Sequence, residues 1–338
     1  MIWLTWRQHR GVVAVCSAIT LALIVWMWVV QHDYLGAFHT YAKSCQPGQL
    51  FVGASVCNRL LSEQGSAAGQ ATFIRLLLMA APVLLGIVLG APLFAVEFER
   101  KTVILVFTQG ISRTRWMASR WLGICLCVVG LASVLDIIAN WWFGLFPVHG
   151  PVIFDEVSRI QPTNFDLTGI VPVAYAIFAF ALGSALSMVL RRTGLAILGT
   201  VGLFITARVL FEEFVRAHLA PMLFAPISFA SIARSNRTGG PLYSTGRGWI
   251  VRYGYEGTAK SHRSISHAYL DHVLKLCNAV LPSLNSPSCL TQHGIESGVF
   301  YQPASHYWAL QRGEAAAFTV AGGALFALAV WSLRRWRA

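Results

Sequence analysis

Charge is what this sequence has least of. Only 12% of its 338 residues are Asp, Glu, Lys or Arg, about half the ~25% of an ordinary soluble domain. Acids are scarcer than bases, 14 against 26 Lys and Arg. Motifs for handling nucleotides are missing too. Without a G-x-x-x-x-G-K-[ST] stretch the chain cannot cradle ATP phosphates as a P-loop does. The absence of G-x-S-x-G, H-E-x-x-H and C-x-x-C removes the commonest hydrolase and zinc signatures. Ser264 and Ser266 lie near His267 but have no orienting acid at readable spacing. His262, His267, His272, His293 and His306 gather late in the chain, and the five-residue step from 267 to 272 is wrong for two ligands on one helical face. The expectation is a chain that is not an enzyme and binds no metal or cofactor. If it does work that costs ATP, another chain carries the nucleotide.

What is abundant is apolar length. Residues 11–30, 71–94, 117–138, 169–190, 194–215 and 314–333 are continuous apolar runs, each near the ~20 residues that cross a bilayer's hydrocarbon core. They do not alternate as barrel strands do, so backbone satisfaction in lipid requires helices. The predicted fold class is all-α: a polytopic membrane protein with six transmembrane helices. Arg7 and Arg10 precede the first run. The island 95–116 separates the second and third, Arg191 and Arg192 separate the fourth and fifth, and Arg334, Arg335 and Arg337 follow the last. With six spans all four clusters share one face, which predicts cytoplasmic termini. The net charge of +12 is then topological, and no nucleic-acid partner is expected. The first run is longer than a signal peptide's apolar core and has no clear small-residue cleavage site, so it is read as a retained span.

Between the spans the chain reads as follows. Residues 1–10 carry Trp3 and Trp6 beside Arg7 and Arg10, suited either to an interfacial helix or to an aromatic flank of the first span. Residues 31–70 and 139–168 are external loops, the first expected as a bridged hairpin or short helices. Residues 216–313 open with 218–233, apolar but broken by Pro221 and Pro226, which reads as a re-entrant or interfacial helical hairpin. An external subdomain follows, with a helix near 265–280, and 334–338 is a cytoplasmic tail. Cys16, Cys125 and Cys127 fall in spans, while Cys45, Cys57, Cys277 and Cys289 fall outside. The local pairs Cys45–Cys57 and Cys277–Cys289 are preferred, and a bridge between the two loops competes with them.

Two groups of polar residues are candidates for function. The island begins with Glu97 and Glu99 and ends with Arg113 and Arg115, acids first and bases last as a helix dipole favours. With Val103–Phe107 as an apolar face, it reads as a short helix that docks on a soluble partner; the plainer reading is a basic loop that only sets topology. Asp136 and Asn140 share one face of the third span, and Arg208 and Glu212 one face of the fifth. They are candidate lining for a pathway or gate, or else an intrahelical Arg208–Glu212 pair with Asp136 at the headgroup boundary. Small residues at Gly86/Gly90 and Gly183/Ser187 mark either a dimer seam or packing within the bundle.

The stretches IWLTWRQHR, GAPLFAVEFER, FTQGISRTRW, FDLTGIVPVAYAIFAFALGSALSMVLRRT and YQPASHYWALQRGEAAAF resemble permease subunits of actinobacterial ABC-2-type transporters. Lys101 stands where that family is expected to have Gly after the EFER motif. The resemblance implies a type V exporter-like, ABC-2 type permease fold. Residues 1–10 would be its amphipathic N-terminal helix, Glu97–Trp116 its coupling helix (Glu97, Phe98, Glu99, Arg100, Arg113, Arg115, Trp116), and 218–233 its re-entrant helices. It further implies a permease dimer, a separate cytoplasmic ABC ATPase that binds ATP and Mg, and conduction between protomers along spans 2 and 5. The leading expectation is a plasma-membrane subunit of a bacterial exporter of an amphiphile: a drug, lipid or peptide antibiotic. The alternative is a membrane sensor whose external subdomain binds a ligand.

Overall fold

The computed structural model describes residues 2–45, 54–101, 112–145, 158–226, 248–257, 266–280 and 287–335. Among the described residues, six helical stretches are long and apolar enough to cross a membrane: Arg10–Tyr41, Ser55–Glu99, Thr114–Gly144, Val171–Leu190, Thr193–His218 and Ala304–Trp331. The chain divides into two compact units, Met1–Val157 with Thr163–Glu212 and Gln311–Ala338, and Ser158–Pro162 with Glu213–Leu310.

The first unit is helical. α1 (Ile2–Ser44) and α2 (Ala54–Leu85) form an antiparallel hairpin closed by the Cys45–Cys57 disulfide. At 1.5 Å per residue, the 43 residues of α1 run about 64 Å, twice the ~30 Å hydrocarbon core. Most of the loop expected at 31–70 is therefore helix. Tyr34, Leu60 and Ala67 are buried where the two helices continue to pack on each other past the apolar runs. Pro82 lies inside α2 near its end, and a π-helical turn (Gly86–Gly90) follows. The Ala91 N–H donates to the Gly86 carbonyl, 3.3 Å, five residues back. α3 (Pro92–Glu99) then resumes with proline in its first turn, where the missing N–H costs nothing.

The π turn lies against α6 (Val171–Leu190), which follows α4 (Arg113–Leu145) and the short α5 (Pro162–Phe165). A Cβ on Gly86 would sit 2.5 Å from the Ala179 Cβ, and one on Gly183 3.0 Å from both the Gly86 carbonyl oxygen and the Ala91 nitrogen. Backbones this close need glycine on both sides. The small residues thus serve packing inside the bundle. α7 (Thr193–Phe214) is separated from α6 by Arg191 and Arg192 alone, Arg191 adopting a left-handed φ of 54°. Apolar side chains such as Leu126 and Val320, 72% and 71% exposed, cover the outside. That is the inverse of a soluble surface and suits lipid.

The second unit is built on a three-stranded antiparallel sheet of order β1-β3-β2: β1 (Leu223–Pro226), β2 (Trp249–Gly257) and β3 (Ile295–Gln302). The helical hairpin expected over 218–233 is not found over 218–226. Pro221 and Pro226 withhold helix donors, Arg216–His218 form one 3-10 turn, and β3 supplies partners to β1, Leu223 opposite Tyr301. Residues 227–233 lie outside the described residues. The Gln302 side chain, fully buried, donates to the carbonyls of Ala217 and Ala220 at 2.9 and 2.8 Å. α8 (His267–Val280) and α9 (Pro287–Gln292) are joined by the Cys277–Cys289 disulfide over a core of Val273, Leu290 and Ile295. Both cysteine pairs are therefore local. α10 (Tyr307–Arg335) ends the described chain.

Candidate functional site

The end of α3 is a node. Glu97 forms an ion pair with Arg120 of α4, their side chains only 15% and 5% exposed. Two residues on, Glu99 takes the Thr193 backbone N–H at 2.7 Å and the Thr193 hydroxyl at 3.1 Å, so a carboxylate of α3 caps the N-terminus of α7. Phe98 lies under the Arg191 guanidinium, 5.5 Å from its ring. Trp116, 2% exposed, packs on Phe94 with ring centroids 5.5 Å apart and carries the Arg120 guanidinium over its ring at 5.0 Å.

This placement changes the reading of the island. Of the residues expected to meet a soluble partner, Glu97, Phe98 and Trp116 make contacts inside the bundle, and Glu99, though exposed, holds Thr193. α3 stops at Glu99, and Trp116 belongs to α4, so no single helix runs from Glu97 to Trp116. Lys101 breaks the chain with a φ of 56°, a conformation that glycine adopts freely and other residues do not. Arg100, Lys101 and Arg115 are exposed. Residues 102–111, including the apolar face Val103–Phe107, and the Arg113 side chain lie outside the described residues.

A second polar cluster sits at the other ends of α6 and α7. Arg208 pairs with Asp166, 2% exposed, in the connector before α6. The Tyr175 hydroxyl lies 3.2 Å from the same carboxylate and also contacts Glu314 of α10. It has one proton, so it donates to one carboxylate at a time. Phe204 and Phe318 pack edge-on around Tyr175, at 5.9 and 4.8 Å. Next to it, buried Gln311 accepts from the Ile170 and Val171 N–H groups, both at 3.0 Å, and donates to the Phe165 and Thr168 carbonyls. The ion pair found for Arg208 is with Asp166 rather than the intrahelical one with Glu212. Sequence reading missed Asp166, Tyr175, Gln311 and Glu314. Asp166 precedes the fourth apolar run and Glu314 opens the last, and both lie in stretches that carry the family resemblance; those were their visible signals.

Asp136 and Asn140 do form a unit in α4. The Asn140 amide donates to the Asp136 carboxylate at 3.0 Å and to the Asp136 carbonyl at 2.8 Å. Among the described residues, no three His, Cys, Asp or Glu side chains come together as a metal site would need.

A family model described as ABC-2 membrane transporter related matches residues 17–216. The chain belongs to this ABC-2 transporter family. The match runs from within α1 through α7 and takes in the glycine crossing, the α3 node, and Asp166, Tyr175 and Arg208; Glu314 and the sheet lie beyond it. No curated protein and no solved structure matches the chain. Family and helices together make it an ABC-2 type membrane subunit of a transporter, multi-pass in the membrane, consistent with the plasma membrane of a bacterium.

Proposed function

We propose that this ABC-2 family member is the permease of an exporter: two copies pair in the membrane, a separate cytoplasmic ABC ATPase binds ATP and Mg, and an amphiphile moves outward. The observation that carries this reading is the α3 node. The connector after Arg100 joins α3 to α4, so force from a soluble partner bound there would enter the bundle at α3. Its root is tied to α4 through Glu97–Arg120 and to α7 through Glu99–Thr193. A buried ion pair yields little before it breaks, because each partner left alone is an uncompensated charge. A push on the connector therefore moves α3, α4 and the start of α7 together, which is what coupling requires. The far cluster of Asp166, Tyr175, Arg208 and Glu314 gives α7 a second fixed point, against α6 and α10.

The test is mild-detergent capture of the tagged chain from its native host, with mass spectrometry of the co-purifying proteins. A stoichiometric P-loop protein whose ATP hydrolysis depends on this chain is the expected result. A clean preparation with no ATPase, repeated in lipid nanodiscs, would overturn the reading and favour a sensor acting through the second unit.

A further inference from the structure

Resting on the transporter reading, we propose that the permease holds a primary alkylammonium amphiphile, its tail between α1 and α2 and its head at Asp136. An apolar groove of about 470 Å³ runs along α1 from Cys16 to Trp26 and along α2 from Leu77 to Val88. Ten residues of helix give it a length of about 15 Å, and it lies within spans, where only hydrocarbon or another apolar group can fill it. Ala81, Leu85 and Leu135 line this groove and also a small cavity of about 20 Å³ behind it. The groove and the cavity abut across those three side chains.

The cavity is apolar except where it meets Asp136, whose carboxylate has the Asn140 amide as its partner among the described residues. No Lys, Arg or His lines it. Leu78 and Pro82 form part of the same wall. The acceptor is thus one carboxylate, beside space for about one water-sized group. A primary ammonium has that size and three hydrogens to give. A trimethylammonium is too large and has none, and an alcohol has the size without the charge. Charge, donor count and volume therefore select the head, and the adjoining groove selects an alkyl tail.

The experiment uses the full chain in nanodiscs and dodecylamine carrying a terminal photoreactive diazirine, with cross-linked peptides mapped by mass spectrometry. Cross-links are expected in residues 16–26 and 77–88, competed by dodecylamine and not by dodecyltrimethylammonium. Asp136→Asn keeps the shape and removes the charge, and should lower the yield about tenfold, the factor for losing one charge-assisted hydrogen bond. Its yield with a diazirine-bearing dodecanol should be unchanged, which separates loss of the head site from misfolding. Ala22→Trp, filling the groove from its exposed side, should abolish labelling by both probes. Equal competition by the trimethylammonium, labelling that ignores Asp136→Asn, or labelling elsewhere on the chain would each refute the site. None of these readouts needs nucleotide or an ATPase, so the site and the exporter reading can fail separately.

Discussion

Removing Glu97 should weaken the bundle rather than a docking surface. Glu97 and Arg120 are 15% and 5% exposed, so neither has water to fall back on. Glu97→Ala leaves the Arg120 guanidinium buried without its carboxylate, a loss of about 3–5 kcal/mol. Glu97→Gln should cost less, because the amide oxygen still accepts from Arg120. The clean measurement is a double-mutant cycle of Glu97→Gln and Arg120→Gln, read by equilibrium unfolding of the purified permease in detergent. Two partners of a buried pair should show a coupling of about 1.5–3 kcal/mol, in the upper half of the range for contacting residues. The swap Glu97→Arg with Arg120→Glu should recover part of the loss but not all, since Arg120 also lies over Trp116. Coupling below about 0.5 kcal/mol, the scatter for independent sites, would refute the node as a mechanical tie.

Arg100→Glu with Arg115→Glu reverses charge on exposed side chains; unfolding should be unchanged, while recovery of the ATPase in pull-downs should fall severalfold. Lys101→Gly should stabilise the permease by about 1 kcal/mol, the strain of a left-handed conformation at a residue with a Cβ, and a thermal melt in detergent checks it. Gly86→Ala should cost about 1–3 kcal/mol by overpacking against Ala179. Gly323→Ala, in α10 with nothing within 4 Å of the added Cβ, should be neutral or slightly stabilising in the same melt.

The spans were legible because hydrocarbon imposes one rule on every residue in them, and a run of about 20 apolar residues has no competing explanation. Where that rule stops, sequence reading weakened. Residues 31–44 and 54–70 are polar enough to read as loop, yet they stay helical because the two segments pack on each other, a pairing no single stretch announces. Pro221 was read correctly as a helix problem, but the strand at 223–226 depends on β3 some 75 residues later. The resemblance gave the right warning at Lys101: glycine was expected there, and the backbone is left-handed. The acids of the island were harder. Glu97 and Glu99 sit beside Arg100, and only the fold shows that they face Arg120 and Thr193.

The placement of these polar contacts follows from what lipid withholds. In water, apolar helix faces associate because water expels them; in a bilayer the acyl chains are as apolar as Leu, and helices need other reasons to stay together. This bundle has two kinds. Close backbone contact at Gly86, Gly90 and Gly183 holds the π turn after α2 to α6, through close packing. Charged and hydrogen-bonded contacts hold the ends: Glu97–Arg120 and Glu99–Thr193 where α6 passes into α7, and Asp166–Arg208 with Tyr175 and Glu314 at their opposite ends. Dispersion contacts tolerate a small change of crossing angle, whereas a buried ion pair loses most of its energy once its partners separate. Motion should therefore concentrate at the π turn, where the helix already departs from regular hydrogen bonding. A transporter needs helices that stay joined at both ends while tilting between them, and in this chain the polar ties and the glycine crossing divide that work.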